Sequence, residues 1–157
     1  QSRWSVNSAK APGIKTLVHG EAEGFLYGGC LSMLVASLGT PYEIQTAGSI
    51  LFIEDIGAKP YQVDRMLVHL KLAGKFNDVR GIIFGEMLDC VQHTNQGYSL
   101  DQVVMRIVRD LGIPVAYGLR SGHVSRENIT LPIGVRVALS VKSGEMNLEF
   151  LEAATSP

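Results

Sequence analysis

The sequence predicts an α/β domain whose sheet system is partly parallel and partly antiparallel, and three observations carry that expectation. Short, continuously apolar, β-rich runs occur at Ile50-Leu51-Phe52-Ile53 and Gly81-Ile82-Ile83-Phe84-Gly85, the pattern of strands covered on both faces. Between and after them lie stretches whose apolar residues recur at helical spacing. The tail alternates instead, in Val135-Arg136-Val137-Ala138-Leu139 and Met146-Asn147-Leu148-Glu149-Phe150, as an antiparallel hairpin would.

In chain order, residues 1–13 are mostly polar, end in Ala11-Pro12-Gly13, and read as a linker, so that a single domain is expected over residues 14–157. Strands are expected at 14–18 and 21–27, joined around Gly20, followed by a helix over 30–38 that Gly39 stops. The apolar run at 50–53 ends abruptly in Glu54-Asp55. Pro60 can open the next helix in its first turn. Val63, Met66, Leu67, Leu70 and Leu72 would supply its inner side, with Arg65, His69 and Lys71 outward, until Gly74. After the strand at 81–85, Ser99 is a suitable N-cap for a helix over 99–111, whose inner face would be Val103, Val104, Ile107, Val108 and Leu111. A further strand follows at 114–118, and the terminal hairpin should turn near Ser143-Gly144.

A length of 157 residues with 46% hydrophobic composition is enough to bury one domain's core. The formal net charge is -1, with Lys and Arg scattered, so the chain has no electrostatic footprint for nucleic acid or an anionic membrane. No stretch approaches the roughly 18 apolar residues of a membrane span, and the N-terminal QSRWSVNSAK has no apolar signal core. Cys30 and Cys90 lack paired Cys/His spacing, which argues against a zinc site or a disulfide framework and for a reducing compartment, the cytoplasm.

Open α/β sheets place ligands outside the carboxyl ends of their strands, which directs attention to Glu54-Asp55, to Glu86 with Asp89, and to Ser121-Gly122-His123. A carboxylate after a buried strand can accept an imidazole N–H and fix the tautomer of a general base, a role Glu54 and His123 could share. The plainer alternatives are a helix or turn cap for Glu54 or Asp55, a locally hydrogen-bonded loop histidine, and a solvated pair for Glu86 and Asp89. His19, His69 and His93 are isolated and read as structural or solvated. No Gly-x-Ser-x-Gly elbow, Walker loop or Gly-x-Gly-x-x-Gly fingerprint is present. Cys30 and Ser32 fall in an expected buried helix, a poor place for a nucleophile.

Several linked segments bear a family resemblance: Gly28-Gly29-Cys30-Leu31-Ser32, Leu38-Gly39-Thr40-Pro41-Tyr42, Leu51-Phe52-Ile53-Glu54-Asp55, Pro60-Tyr61 with Asp64-Arg65-Met66-Leu67, and Gly122-His123 through Asn128-Ile129-Thr130-Leu131-Pro132-Ile133-Gly134. Together they resemble the C-terminal domain of the serine LD-carboxypeptidases of peptidoglycan recycling. The resemblance implies a swivelling β/β/α domain packed against an N-terminal α/β domain, with the active site in the cleft between them. It places the triad glutamate on Glu54 and the triad histidine on His123, while the serine belongs to a Gly-x-Ser-Asp elbow in an N-terminal domain outside this sequence. Asp55, Glu86 and Ser121 would line the substrate cleft. The implied reaction releases terminal D-alanine from a murein tetrapeptide without metal or cofactor, with the chain alone inactive and a homodimer as a candidate assembly. Where the family is expected to have Asn after the two glycines, this chain has Cys30. An immunity-type amidase acting on an aminoacyl-nucleotide antibiotic, or a non-catalytic module holding a wall peptide or partner, are the alternatives.

Overall fold

The apolar runs become the centre of a sheet. The computed structural model describes residues 4–9, 11–92 and 97–154. Its strands are β1 (Ser5–Asn7), β2 (Lys15–Val18), β3 (Gly20–Cys30), β4 (Ser49–Glu54), β5 (Gly81–Gly85), β6 (Val115–Leu119), β7 (Arg136–Lys142) and β8 (Glu145–Phe150). Its helices are α1 (Leu31–Ala36), α2 (Pro60–Leu72) and α3 (Leu100–Val108). The strands form one sheet in the order β1-β8-β7-β3-β4-β5-β6-β2. The four central strands run parallel, and both flanks are antiparallel, as the change from continuous to alternating hydrophobicity requires.

Three layers result. One face of the parallel centre, Leu51, Ile53, Ile82, Phe84 and Val115, shares a core with Val63, Leu67 and Leu70 of α2 and with Val103, Val104, Ile107 and Val108 of α3. The other face, including Ile50, Phe52, Ile83 and Ala116, shares a second core with the inward residues of β7 and β8. The sheet must therefore curl, so that its antiparallel arm covers the face the helices leave bare. The long strand β3 belongs to both parts, pairing with β7 over residues 20–25 and with β4 over residues 25–30. At the far side the curl brings the β7–β8 turn against β2, where the Gly144 N–H donates to Thr16 Oγ1 at 3.3 Å.

The hairpin, the covered strands and the Ser99 cap form as the sequence predicts, with the Gln102 N–H donating to Ser99 Oγ. Four expectations need correction. Residues 1–13, read as a linker, contain β1, which pairs with β8. Val6 is buried there, Trp4 stacks on Phe150 at 4.4 Å between centroids, and the Met146 N–H donates to Ser8 Oγ. The helix expected over 30–38 is only α1, because Cys30 is still in β3, where it pairs with Glu54. In α1 Leu31 alone is buried, so Ser32 is not in a buried helix. Leu72 is 83% exposed, since the apolar stripe of α2 ends two residues earlier at Leu70, and a step of two residues turns the side chain away from that stripe. Helix α3 stops at Val108 rather than 111, although Leu111 still packs against the core. Among the described residues no helix is long and apolar enough to cross a membrane.

Candidate active site

Parallel strands deliver their last residues to one end of the sheet, and the polar residues after β3, β4, β5 and β6 therefore gather there. Glu54 closes β4 and is 4% exposed. A buried carboxylate needs hydrogen-bond donors to offset the loss of water. Glu54 finds them in the loop after β6: its Oε2 accepts from the His123 backbone N–H at 2.9 Å and lies 2.9 Å from His123 Nδ1. A carboxylate only accepts, so Nδ1 carries the proton and Nε2 of a neutral ring keeps its lone pair. The His123 side chain is 49% exposed, which lets that nitrogen meet a reactant arriving from solvent. This is the geometry that an oriented general base requires.

Strand β5 lies between β4 and β6, so the loop after β6 must cross its end to reach Glu54. Gly85 makes the crossing possible, because a Cβ there would sit 2.6 Å from Glu54 Cβ and 3.3 Å from the Ser121 carbonyl oxygen. Gly122 completes it in a left-handed backbone conformation, φ +88°, where a Cβ would sit 2.5 Å from the Glu54 carboxylate. The loop is braced elsewhere too. Glu86 accepts from the Ser125 N–H at 2.9 Å and from its hydroxyl, Asn128 Nδ2 donates to the Gly122 carbonyl, and the Ile129 N–H donates to the Arg120 carbonyl.

The other sequence-based candidates divide clearly. Asp55 is 3% exposed, and both of its oxygens serve backbone: Oδ2 accepts from the Ser32 N–H in the first turn of α1 and Oδ1 from the Ile56 N–H. It is the cap that the plainer reading foresaw, not an open cleft group. Glu86 holds the histidine loop, whereas Asp89 is exposed at φ 54°. Ser121 is 6% exposed, beneath the loop rather than displayed on it. His19 and His69 are exposed and distant in the chain from these strand ends, and His93 lies outside the described residues.

A family model described as the LD-carboxypeptidase C-terminal domain matches residues 23–139, a span that contains both Glu54 and His123. The chain belongs to this family. A similar curated relative is a probable murein peptide carboxypeptidase of Bacillus subtilis, 46% identical over 125 residues, which cover 79% of this chain and 39% of the relative. The chain thus spans about two fifths of that relative's length. Among solved structures, a muramoyltetrapeptide carboxypeptidase from Oxalobacter formigenes matches with a TM-score of 0.84 and 31% identity, over 98% of this chain and 51% of that one. The microcin C7 self-immunity protein MccF matches with a TM-score of 0.78 and 27% identity, over 92% of this chain and 42% of its own.

For an LD-carboxypeptidase C-terminal domain, one residue at the site is visible in the sequence as a departure from the family pattern but not as a neighbour of Glu54 and His123. Cys30 ends β3 directly opposite Glu54, and its Sγ lies within 4.8 Å of ligand atoms of both Glu54 and His123. It is half-buried, with Sγ 3.2 Å from Ser32 Oγ. The available signal was the position: Cys30 falls where parallel strands β3 and β4 end together. The two spacer glycines, Gly85 and Gly122, were likewise visible as letters but not as contacts.

Proposed function

We propose that this chain is the C-terminal domain of a serine LD-carboxypeptidase, one that hydrolyses the L,D-peptide bond of a murein tetrapeptide and releases D-alanine. The observation that carries the reading is the buried Glu54 carboxylate holding Nδ1 of a half-exposed His123. In this scheme the domain comprises residues 14–157 together with β1, which pairs with β8, and a serine from a segment outside this sequence attacks the substrate carbonyl. His123 Nε2 takes the hydroxyl proton and returns it to the departing D-alanine amine, and water then releases the acyl group by the same route. Glu54 keeps the ring in the working tautomer and stabilises the imidazolium, where low solvent access strengthens the interaction. Glu86 and Asp55 act at a distance, by holding the histidine loop and the start of α1. A cytoplasmic location belongs to the same reading, as do a cleft against the serine-bearing domain and a homodimer as a candidate assembly.

The likeness to MccF keeps amide hydrolysis in an aminoacyl-nucleotide as the second reading, because the fold is shared. The experiment presents a full-length polypeptide carrying this chain with murein tetrapeptide and, separately, with an aminoacyl-nucleotide conjugate, and weighs the products by mass spectrometry. D-alanine plus tripeptide is the expected result. Cleavage of the nucleotide conjugate alone would replace the carboxypeptidase reading with the amidase, and cleavage of neither would leave a binding module.

A further inference from the structure

Three donors of different chemistry converge at the carboxyl ends of the parallel strands: the Cys30 thiol, a Glu54 carboxylate oxygen and a His123 imidazole nitrogen. We infer that Cys30, Glu54 and His123 form a binding site for one thiophilic divalent cation, zinc or a chemical relative such as cobalt or cadmium. The ligand atoms lie within 4.8 Å of one another. Zinc bonds of about 2.0–2.3 Å hold tetrahedral ligands roughly 3.3–3.8 Å apart, so a closure of about 1 Å brings all three into range. The members that fix the site are rigid: Cys30 and Glu54 are a registered pair on adjacent strands, and Glu54 is buried. The member that must move is the most exposed, His123, and its open side leaves a fourth position for water.

Ligand chemistry sets the selectivity. A thiolate, an imidazole and a carboxylate together suit zinc and its softer neighbours, while magnesium and calcium require oxygen ligands. Spacing rules could not find this set, because its donors come from two strand ends and a loop. On binding, Cys30 gives its thiol proton to solvent and the imidazole proton passes from Nδ1 to Nε2 by exchange with water, so that Nδ1 offers the cation its lone pair and the carboxylate trades its hydrogen bond for a metal bond. The ion is accordingly an inhibitor of acid–base chemistry at this pair, and its binding can be tested without reference to any substrate.

The experiment titrates cobalt(II) into the reduced 157-residue chain and records thiolate-to-cobalt charge-transfer and d–d absorption. The expected result is a band that saturates at one equivalent, is displaced by zinc and not by magnesium, persists in Cys90→Ser, and is lost in Cys30→Asn and in His123→Ala. Both Cys30 and His123 reach the surface, and circular dichroism confirms that each variant is folded. Absence of the band from the wild-type chain, its survival in Cys30→Asn, or its loss in Cys90→Ser would overturn the proposal.

Discussion

The two ends of the parallel strands differ in a way that surface shape does not reveal. At the amino ends lies a cavity of about 560 Å³ whose lining includes Glu21, Glu23, Asp78 and Arg80. Two of its carboxylates are spent on neighbours: Glu21 accepts from Lys142 and Ser140, which hold its carboxyl below the ordinary range, and Glu23 pairs with Arg136. Such exposed pairs are screened by solvent and contribute little. At the carboxyl ends, by contrast, a buried carboxylate is committed to a histidine and two glycines have been set aside for the contact. Every charged residue lining the concavity is exposed, so none has its chemistry shaped by burial, whereas the carboxyl ends gather donors around one buried acid.

Substitutions at the two ends should separate them sharply. In a full-length polypeptide, Glu54→Gln should lower kcat/KM for D-alanine release on the order of 10³-fold or more, since an amide can orient the ring in the wrong tautomer and cannot stabilise imidazolium. Steady-state kinetics checks this, and an unchanged rate would erase the distinction. Gly122→Ala should cost about 2–3 kcal/mol in urea unfolding, because the residue is left-handed and its new methyl meets the Glu54 carboxylate. Asp55→Ala should cost about 1–2 kcal/mol, by stripping the Ser32 and Ile56 N–H groups of their acceptor, with less effect on kcat than on stability.

A smaller effect is set by pH. Burial pushes the Cys90 thiol up from 9.0 to about 11, and burial raises the Tyr117 phenol as well. Between these values the folded chain retains a proton that the unfolded chain has lost, so stability falls as pH rises from about 9 through 11. Urea midpoints across that range check the slope, which Cys90→Ala should flatten. At the amino ends Arg80→Ala should change stability by less than about 0.5 kcal/mol, since its side chain is exposed.

How much of this was legible depended on whether the information was local. Ile50 to Ile53 and Ile82 to Phe84 announced covered strands because every residue is apolar, and Ser99 announced a cap because a serine just before a helical apolar face can satisfy a first-turn N–H locally, as it does with Gln102. Ser5–Asn7 was missed because a three-residue strand with one buried side chain has no period to read. Glu54 and His123 were legible as candidates through their places after apolar strand runs, their bond through the chemistry of an oriented base, and their triad roles through the family resemblance. Asp55 beside Glu54 shows the limit: adjacent residues on a strand end point to opposite sides, and only the fold decides which meets a histidine and which meets the backbone of α1. Cys30 was hidden for the same reason, since its partner is set by parallel register across a connection containing α1.

The central claim is that the carboxyl end of the sheet carries out proton transfer and the amino end does not. It is tested most directly by D-alanine release from murein tetrapeptide, measured for a full-length polypeptide as wild type, His123→Ala and Arg80→Ala. The account predicts that His123→Ala abolishes release to near the assay background while Arg80→Ala retains the wild-type rate. Release by His123→Ala at the wild-type rate would contradict it.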